Sequence, residues 1–399
     1  MRKFSAVLFC WPEGDLDLLT SKQSLALLPL GNIPLIDYHI TLLERFGLQE
    51  LVVVSPSDDF ERLCVHLSNR DSFKISVQSA DPDEGAVSVI KRLIDQDLIV
   101  HDVLVISLCT ITTLPLHHLS DLFLINDAAC VFLTHKPPSK PPLSSSYGVV
   151  TDVDSGKVLG IMNGKDLDVE SGDPSEMNIP YGIMQRYKRI NIDTKLNPAQ
   201  MFIFSIRCLK HVFATHSSGT FWFNVIPQLI LSSMTDNRNP GVYAYVQDDL
   251  FCTHLHSPRS VLSLAQGAIS GSLNHIITPV SDDPPHHAVS RKSLWKGDVS
   301  VGEEVQVINS SIDEHVVIGH KVIIKGSAIL SSVSIGDSTT ITGSFIAPCT
   351  VIGKNVEIKN SVICASLKIA DNVTITDTVY EEPTVMFDDV VFFDELGSN

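Results

Sequence analysis

Gly302, Gly319, Gly336 and Gly353 recur every 17 residues, Ala370 holds the fifth position, and each follows an aliphatic residue: Val301, Ile318, Ile335, Ile352 and Ile369. A fixed short period constrains a chain more tightly than composition does, because it means that one unit stacks on copies of itself. Other columns keep the same phase. Three past each glycine stand Val305, Val322, Thr339, Val356 and Val373, and five past stand Val307, Ile324, Ile341, Ile358 and Ile375. Eight past come Ser310, Ser327, Ser344, Ser361 and Thr378; ten past come Ile312, Ile329, Ile346, Ile363 and Tyr380; fourteen past come Val316, Val333, Thr350 and Leu367.

The columns resolve into three pairs per period, each a large aliphatic followed by a smaller side chain. That is the hexapeptide rule of a triangular parallel β-helix, whose short strands send alternate side chains inward and whose core forms only when coils stack. Three hexapeptides would need one residue more than the period supplies. The missing residue is placed at the corner seven past the glycine, where Asn309, Gly326, Gly343, Asn360 and Asp377 tolerate a left-handed backbone. An ordinary sandwich of short strands does not explain a phase held over five turns.

A chain of 399 residues has room for two or three domains with real cores. Its net charge of -17 argues against direct binding to nucleic acid or an anionic membrane. Cys10, Cys64, Cys109, Cys130, Cys208, Cys252, Cys349 and Cys364 are scattered without a CxxC pair, as expected of thiols in a reducing compartment. The opening FSAVLFCW soon meets Pro12, Glu13 and Asp15, a poor signal peptide and a good first strand. With no apolar run long enough to span a membrane, the expected location is the cytosol.

Ahead of the coils, strands and helices alternate. Strands are expected at Ser5 to Phe9, Glu50 to Val54, Lys74 to Gln78, Asp102 to Ser107 and Ala128 to His135, and helices at Pro34 to Phe46, Phe60 to Ser68, Gly85 to Asp95 and Leu116 to Asn126. Such alternation implies a mostly parallel, doubly wound sheet. A Pro/Ser-rich loop follows at Lys136 to Ser146, then a hairpin of Tyr147 to Val153 with Lys157 to Met162. Late strands at Gln200 to Ser205 and Val242 to Val246 accompany helices at Arg207 to Thr215 and Phe223 to Ser233, and residues 258 to 276 read as a connecting helix. The organisation is therefore residues 1–257 as one domain, 258–290 as connector, 291–380 as coils and 381–399 as an acidic, aromatic tail that either caps the coils or docks on a partner. The fold class is α/β: a Rossmann-like, nucleotidyltransferase-type sheet followed by a left-handed parallel β-helix.

The segment LLPLGNIPLIDYHITLLERFGLQELVVV resembles the sugar-nucleotide pyrophosphorylase superfamily. The resemblance implies that the loop after the first strand should be rich in glycine and carry an arginine, with a lysine following, because backbone N–H groups and cations hold nucleotide phosphates. Here the loop reads CWPEGDLDLL, with Glu13, Asp15 and Asp17 where cations would be wanted; the arginine position falls near Asp15 and the lysine position on Leu25. Acid facing a triphosphate is repelled in a dry site. Cys109 stands at the place of a magnesium-binding aspartate, and a thiol is a poor ligand for that hard ion. A later aspartate corresponds to Asn224. Gly85 and the strand Tyr147 to Val150 match features of the fold more than of the chemistry. The catalytic site is therefore read as degenerate, with no cofactor and no metal.

A degenerate nucleotidyltransferase domain joined to hexapeptide coils resembles, over nearly the whole chain, the gamma-subunit family of eukaryotic translation initiation factor 2B. The segments that carry it are the one above, DVLVISLCTITTLPLHHLSDLF, NGKDLDVE and the coils; the end of the chain soon after the last coil agrees with gamma rather than epsilon. The resemblance implies a noncatalytic subunit of a guanine-nucleotide exchange complex. It would pair with the catalytic epsilon subunit and the other subunits and help position initiation factor 2, with no nucleic acid or membrane bound directly. Three alternatives stay open: a mannose-1-phosphate guanylyltransferase-like protein, active or regulatory; a hexapeptide acyltransferase using His315 or His320; and a structural adaptor. His286 and His287 read as linker rather than as metal ligands.

Overall fold

The computed structural model describes residues 4–16, 19, 24–68, 70, 74–136, 147–163, 185–216, 218–236, 238–248, 251–277, 281–285 and 288–380. The expected loop tip at 137–146, the segment 164–170, His286, His287 and the tail at 381–399 lie outside them. The described residues form two compact units, one within 1–11 and 42–254, the other within 12–41 and 255–399.

In chain order the elements are β1 (Phe4–Phe9), α1 (Leu35–Phe46), β2 (Glu50–Ser55), α2 (Phe60–Leu67), β3 (Lys74–Ser79), α3 (Ala86–Asp95), β4 (Asp102–Ser107), β5 (Thr110–Thr112), α4 (His117–Ile125), β6 (Cys130–His135), β7 (Tyr147–Asp152), β8 (Val158–Asn163), β9 (Ile190–Phe204), α5 (Ile206–Phe213), α6 (Ile226–Thr235), β10 (Val242–Gln247), β11 (Cys252–His254) and α7 (Pro258–Ser270), followed by the coils. In the first unit, nine strands make a sheet in the order β8-β7-β9-β4-β1-β2-β3, with β6 beside β9 and β10 beside β6. The β1 to β4 group and the β6–β10 pair are parallel, as runs such as VLVIS buried on both faces require. Val7, Phe9, Val52, Val54, Val103 and Val105 pack one face against α3, α5 and α6.

The β5–β11 pair was not expected, α7 ends at Ser270 where a helix to residue 276 was expected, and two further elements differ in extent or type. The strand expected at Gln200 to Ser205 begins at Ile190 and is antiparallel to β4, β6 and β7. Asn191, Asp193, Asn197 and Pro198 hide it in the sequence, and it accommodates them through two shifts of register. The helix expected from Phe223 starts as a π turn, Phe221–Val225, capped by the Thr220 hydroxyl, and becomes α-helical at Ile226, where Pro227 is tolerated in the first turn.

In the second unit, each coil lays three short strands onto the coil before, parallel and 17 residues apart; Val307, Ile324, Ile341, Ile358 and Ile375 stack in one fully interior column. This is the left-handed parallel β-helix. The clock glycines are required by the approach of the next coil: a Cβ on Gly336 would lie 2.5 Å from the carbonyl oxygen of Gly353, and one on Gly302 2.7 Å from that of Gly319. The serine column forms a buried ladder. Ser327, Ser344 and Ser361 each donate a backbone N–H to the hydroxyl one coil earlier at 3.1–3.2 Å, and each hydroxyl donates to the carbonyl two residues before it.

Left-handed backbone appears at all three corners of a coil, not at one. Glu304, Asn309 and His315 have φ of 59°, 49° and 59°, and Lys321 begins the next round at 58°. Corner to corner the chain advances five, six and six residues, so the short side is the one that ends at the Asn/Gly/Asp corner, where the missing residue was expected. Side chains as ordinary as those of Lys321, Ser332 and Cys349 accept this conformation because each corner N–H donates to a carbonyl of the preceding coil, at 2.9, 3.1 and 3.1 Å. That bond offsets a left-handed cost of about 1–2 kcal/mol.

One outward column of the coils is buried as well: Ser311, Ala328, Phe345 and Val362 are at most 2% exposed. Helix α7 covers them, touching the strands Ala328–Ile329 and Val362–Ile363 and donating from Gln266 Nε2 to the Gly343 carbonyl at 3.3 Å. A tight hairpin pairs Pro29–Leu30 with Ile33–Pro34 through Gly31 and Asn32, both left-handed. Gly31 approaches α7 so closely that a Cβ would lie 3.2 Å from that of Ala268.

Candidate functional site

In an open α/β sheet, ligands bind outside the carboxyl ends of the strands where the strand order reverses. Here β1 is central, β2 and β3 follow on one side and β4 lies on the other, so the reversal falls between β1 and β4. The residues just past those two strands therefore define the crevice.

Past β1, Cys10 donates its N–H to the Val54 carbonyl at 2.8 Å, and Trp11 folds back over the strand ends. The Trp11 indole N–H donates to the carbonyl of Ala80, just past β3, at 2.9 Å, and the ring lies 4.8 Å from that of Phe9. Past β4, Leu108 donates to the Phe9 carbonyl at 2.8 Å. Cys109 is fully buried, its sulfur 3.6 Å from the Trp11 carbonyl and its N–H 3.2 Å from the Ser107 hydroxyl. Burial pushes the Cys10 thiol up, and Asp59 adds to the effect. Just past β4 the buried Cys109 thiol thus sits beside the Trp11 carbonyl, while the indole and the Phe9 ring pack in the sheet's core on the other side of β1, toward β3. A buried thiol offers neither a positive charge to a phosphate nor a hard oxygen ligand to magnesium.

The remaining expected positions serve local structure. Asn224 sits on the π turn, where its Oδ1 accepts from the Thr220 N–H at 2.8 Å. In the second unit, Leu25 is buried in a single turn of 3₁₀ helix. Asp15 is exposed on another such turn, and its N–H donates to the His256 carbonyl at 3.1 Å. Asp17 lies outside the described residues. Cys109 and Asn224 thus fall in the first unit and Asp15 and Leu25 in the second. Among the described residues, no group of three or more His, Cys, Asp and Glu is placed to hold a metal ion, and no helix is long and apolar enough to cross a membrane.

A polar cluster in the first unit was not visible in the sequence. His135 and Gln247 are the last residues of the adjacent parallel strands β6 and β10, and Asn197 of β9 lies opposite His135, so the three share one row across the sheet. The Thr112 hydroxyl donates to Gln247 at 2.9 Å, and Thr110 lies 3.1 Å from His254 Nδ1. His135 is 6% exposed, and among the described residues its Nδ1, like the Asn197 Oδ1, has no hydrogen-bond partner. Burial holds the imidazole neutral, with its pKa pushed down to about 4, and His254 acts in the same direction. Strand pairing across distant segments creates this row, which no local motif announces.

Of the two coil histidines, His315 forms a left-handed corner and donates its N–H to the Asp298 carbonyl at 2.9 Å. His320 Nδ1 accepts the Glu303 N–H at 3.0 Å, and the His320 N–H donates to Asp337 Oδ1 at 2.9 Å, so this ring bridges coils. Asp337 also pairs with Lys354 at 2.9 Å. The His320 N–H and Lys354 hold its carboxyl below the usual carboxylate range.

Residues 289–386 match the family model of the GMPPB C-terminal domain. The match spans the stacked strands from Ala288–Arg291 onward and leaves the sheet unit outside it. It supports the nucleotidyltransferase-like reading of the chain through its coils, and it does not single out the initiation-factor subunit.

Proposed function

We propose that this chain is a nucleotidyltransferase-like subunit that carries out no nucleotidyl transfer itself and works by binding other proteins. The observation that carries this reading is the fully buried Cys109 just past β4, at the crevice between β1 and β4, where the resemblance would place a metal-binding aspartate. Catalysis of such a transfer is mostly positioning and charge stabilisation, and the described residues just past β1 and β4, Cys10, Trp11, Leu108 and Cys109, carry no charged side chain. The match of the coils to the GMPPB C-terminal domain favours a regulatory partner of a mannose-1-phosphate guanylyltransferase-type enzyme. A second reading is the gamma role in initiation factor 2B, pairing with epsilon to support GDP/GTP exchange on initiation factor 2. It is favoured by the joint loss of charge at Leu25, Cys109 and Asn224, with acid at Asp15, inside segments that resemble that family.

The purified chain with magnesium, GTP and mannose 1-phosphate should release no pyrophosphate; robust turnover would overturn the noncatalytic reading. Affinity capture of the tagged chain from its own cells then separates the partners. Recovery of a catalytic guanylyltransferase supports the first, and recovery of an epsilon-like exchange subunit supports the second.

A further inference from the structure

All eight cysteines are free thiols, and strand pairing brings two that are distant in the chain to one part of the first unit. Cys130 opens β6 and lies opposite Phe204, the last residue of β9. The next rung closes where Ser205 donates its N–H to the Ala129 carbonyl at 2.9 Å. Cys130 and Phe204 are therefore the closer kind of antiparallel pair, without mutual backbone bonds, and their side chains share one face of the sheet. Helix α5 starts at Ile206, directly after that rung, and Cys208 lies in its first turn, which the Leu209 N–H closes on the Ser205 carbonyl at 2.9 Å. Leu209 and Val212 of this helix are buried in the core that holds Cys130 and Phe204, and Cys208 packs against that core. The two thiols feel each other: burial pushes the Cys130 thiol up, and Cys208 adds to the effect. They are also unequal, Cys130 being fully buried and Cys208 half-buried. An oxidant arriving from solvent reaches Cys208 first.

We infer that Cys208 and Cys130 are an oxidant-sensitive thiol pair, which a peroxide closes into a disulfide between α5 and the start of β6. The Cys208 thiolate attacks one oxygen of hydrogen peroxide; the O–O bond breaks, hydroxide leaves and takes up a proton, and Cys208 becomes a sulfenic acid. The Cys130 sulfur then gives up its proton and attacks the Cys208 sulfur. An S–S bond forms, the S–O bond breaks, and a second water leaves. The two thiols supply the two electrons that reduce the peroxide. Burial suits Cys130 to the second step, because it keeps that sulfur from meeting the oxidant before Cys208 does. In a reducing compartment the bond is transient, since a thiol such as glutathione opens it again by exchange. The pair stands apart from the crevice between β1 and β4, so it does not depend on whether the chain transfers nucleotides.

The test uses the full chain carrying Cys349→Ser, which removes the exposed thiol; Ser332 and Ser366 already hold the same left-handed corner in the flanking coils. The folded protein is treated with hydrogen peroxide in slight excess, then unfolded in iodoacetamide and mapped as peptides without reduction. The peptides of Cys130 and Cys208 should appear joined, lighter by two hydrogens than their sum, and dithiothreitol should separate them. Cys208→Ser should abolish the joined species. In Cys130→Ala the sulfenic acid has no thiol to resolve it, and dimedone should trap it at Cys208. Oxidation that stops at a sulfenic or sulfinic acid on Cys208 while Cys130 is still alkylated would overturn the pair. So would full alkylation of both thiols after peroxide, or a bond from either to a different cysteine. If Cys130→Ala does not fold, the peptide map of the chain that keeps both cysteines decides by itself.

Discussion

The glycine before each coil turn and the tryptophan after β1 both sit where backbone leaves a strand, yet they answer opposite demands. Gly302, Gly319, Gly336 and Gly353 are glycine because another backbone arrives within 3 Å of where a side chain would start. Trp11 is large because it packs on Phe9 and spans to the Ala80 carbonyl past β3, at one place in the sheet's core. In the coils one packing problem recurs, so one residue type recurs with it and the sequence displays the solution several times. In the sheet unit each position is solved once, by contacts between residues distant in the sequence. Repetition makes the coils legible; uniqueness makes the sheet's site depend on individual contacts.

The comparison breaks most readily at Gly336. Gly336→Val drives a Cβ into the backbone of the next coil and should cost about 3 kcal/mol or more in a urea titration of the full chain. A midpoint equal to wild type would remove coil contact as the reason for the clock. In the sheet unit, acid should act through His135. Its folded pKa of about 4 lies below the unfolded value near 6.5, so between those limits the unfolded chain binds more protons. Stability is therefore lost as pH falls from about 6.5 to about 4, by up to about 3 kcal/mol. The urea midpoint of His135→Gln should fall less steeply over that window than that of wild type, and parallel curves would clear His135 of the effect.

Ser344→Ala removes the acceptor of the Ser361 N–H and the donor to the Thr342 carbonyl inside the coil core, an expected loss of about 2 kcal/mol. A loss no greater than that of an exposed serine would mean that the ladder is idle. Gly326→Val is milder than Gly336→Val. Its Cβ meets no atom closer than 4.0 Å, and only the left-handed φ of 58° resists it, at about 1 kcal/mol. If Gly326→Val proved the worse of the two, corner strain rather than coil approach would dominate the repeat. Lys354→Ala removes an exposed pair with Asp337 and should leave the melting temperature unchanged at physiological salt.

Much of the first unit could be read ahead of the structure because its strands are buried on both faces: Asp102–Ser107 was bounded to the residue, and α2 and α4 to within one residue at either end. The polar half of β9 could not, since Asp193 and Asn197 look like loop until β7 and β6 pair with them. The residue types at Asp15, Leu25, Cys109 and Asn224 could be read one by one. Their surroundings could not, because Cys109 meets the Trp11 carbonyl across 98 residues and the row of His135, Asn197 and Gln247 is assembled from three distant strands.

The sequence by itself determined the coil period, the glycine columns and the short corner, because stacking repeats one local constraint until it shows as a pattern. Tertiary structure alone decided that all three corners turn left-handed, that α7 buries an outward column including Phe345, and that the Trp11 indole reaches the Ala80 carbonyl past β3. Those outcomes depend on which distant segments approach each other, and a local pattern carries no record of the neighbours it will meet.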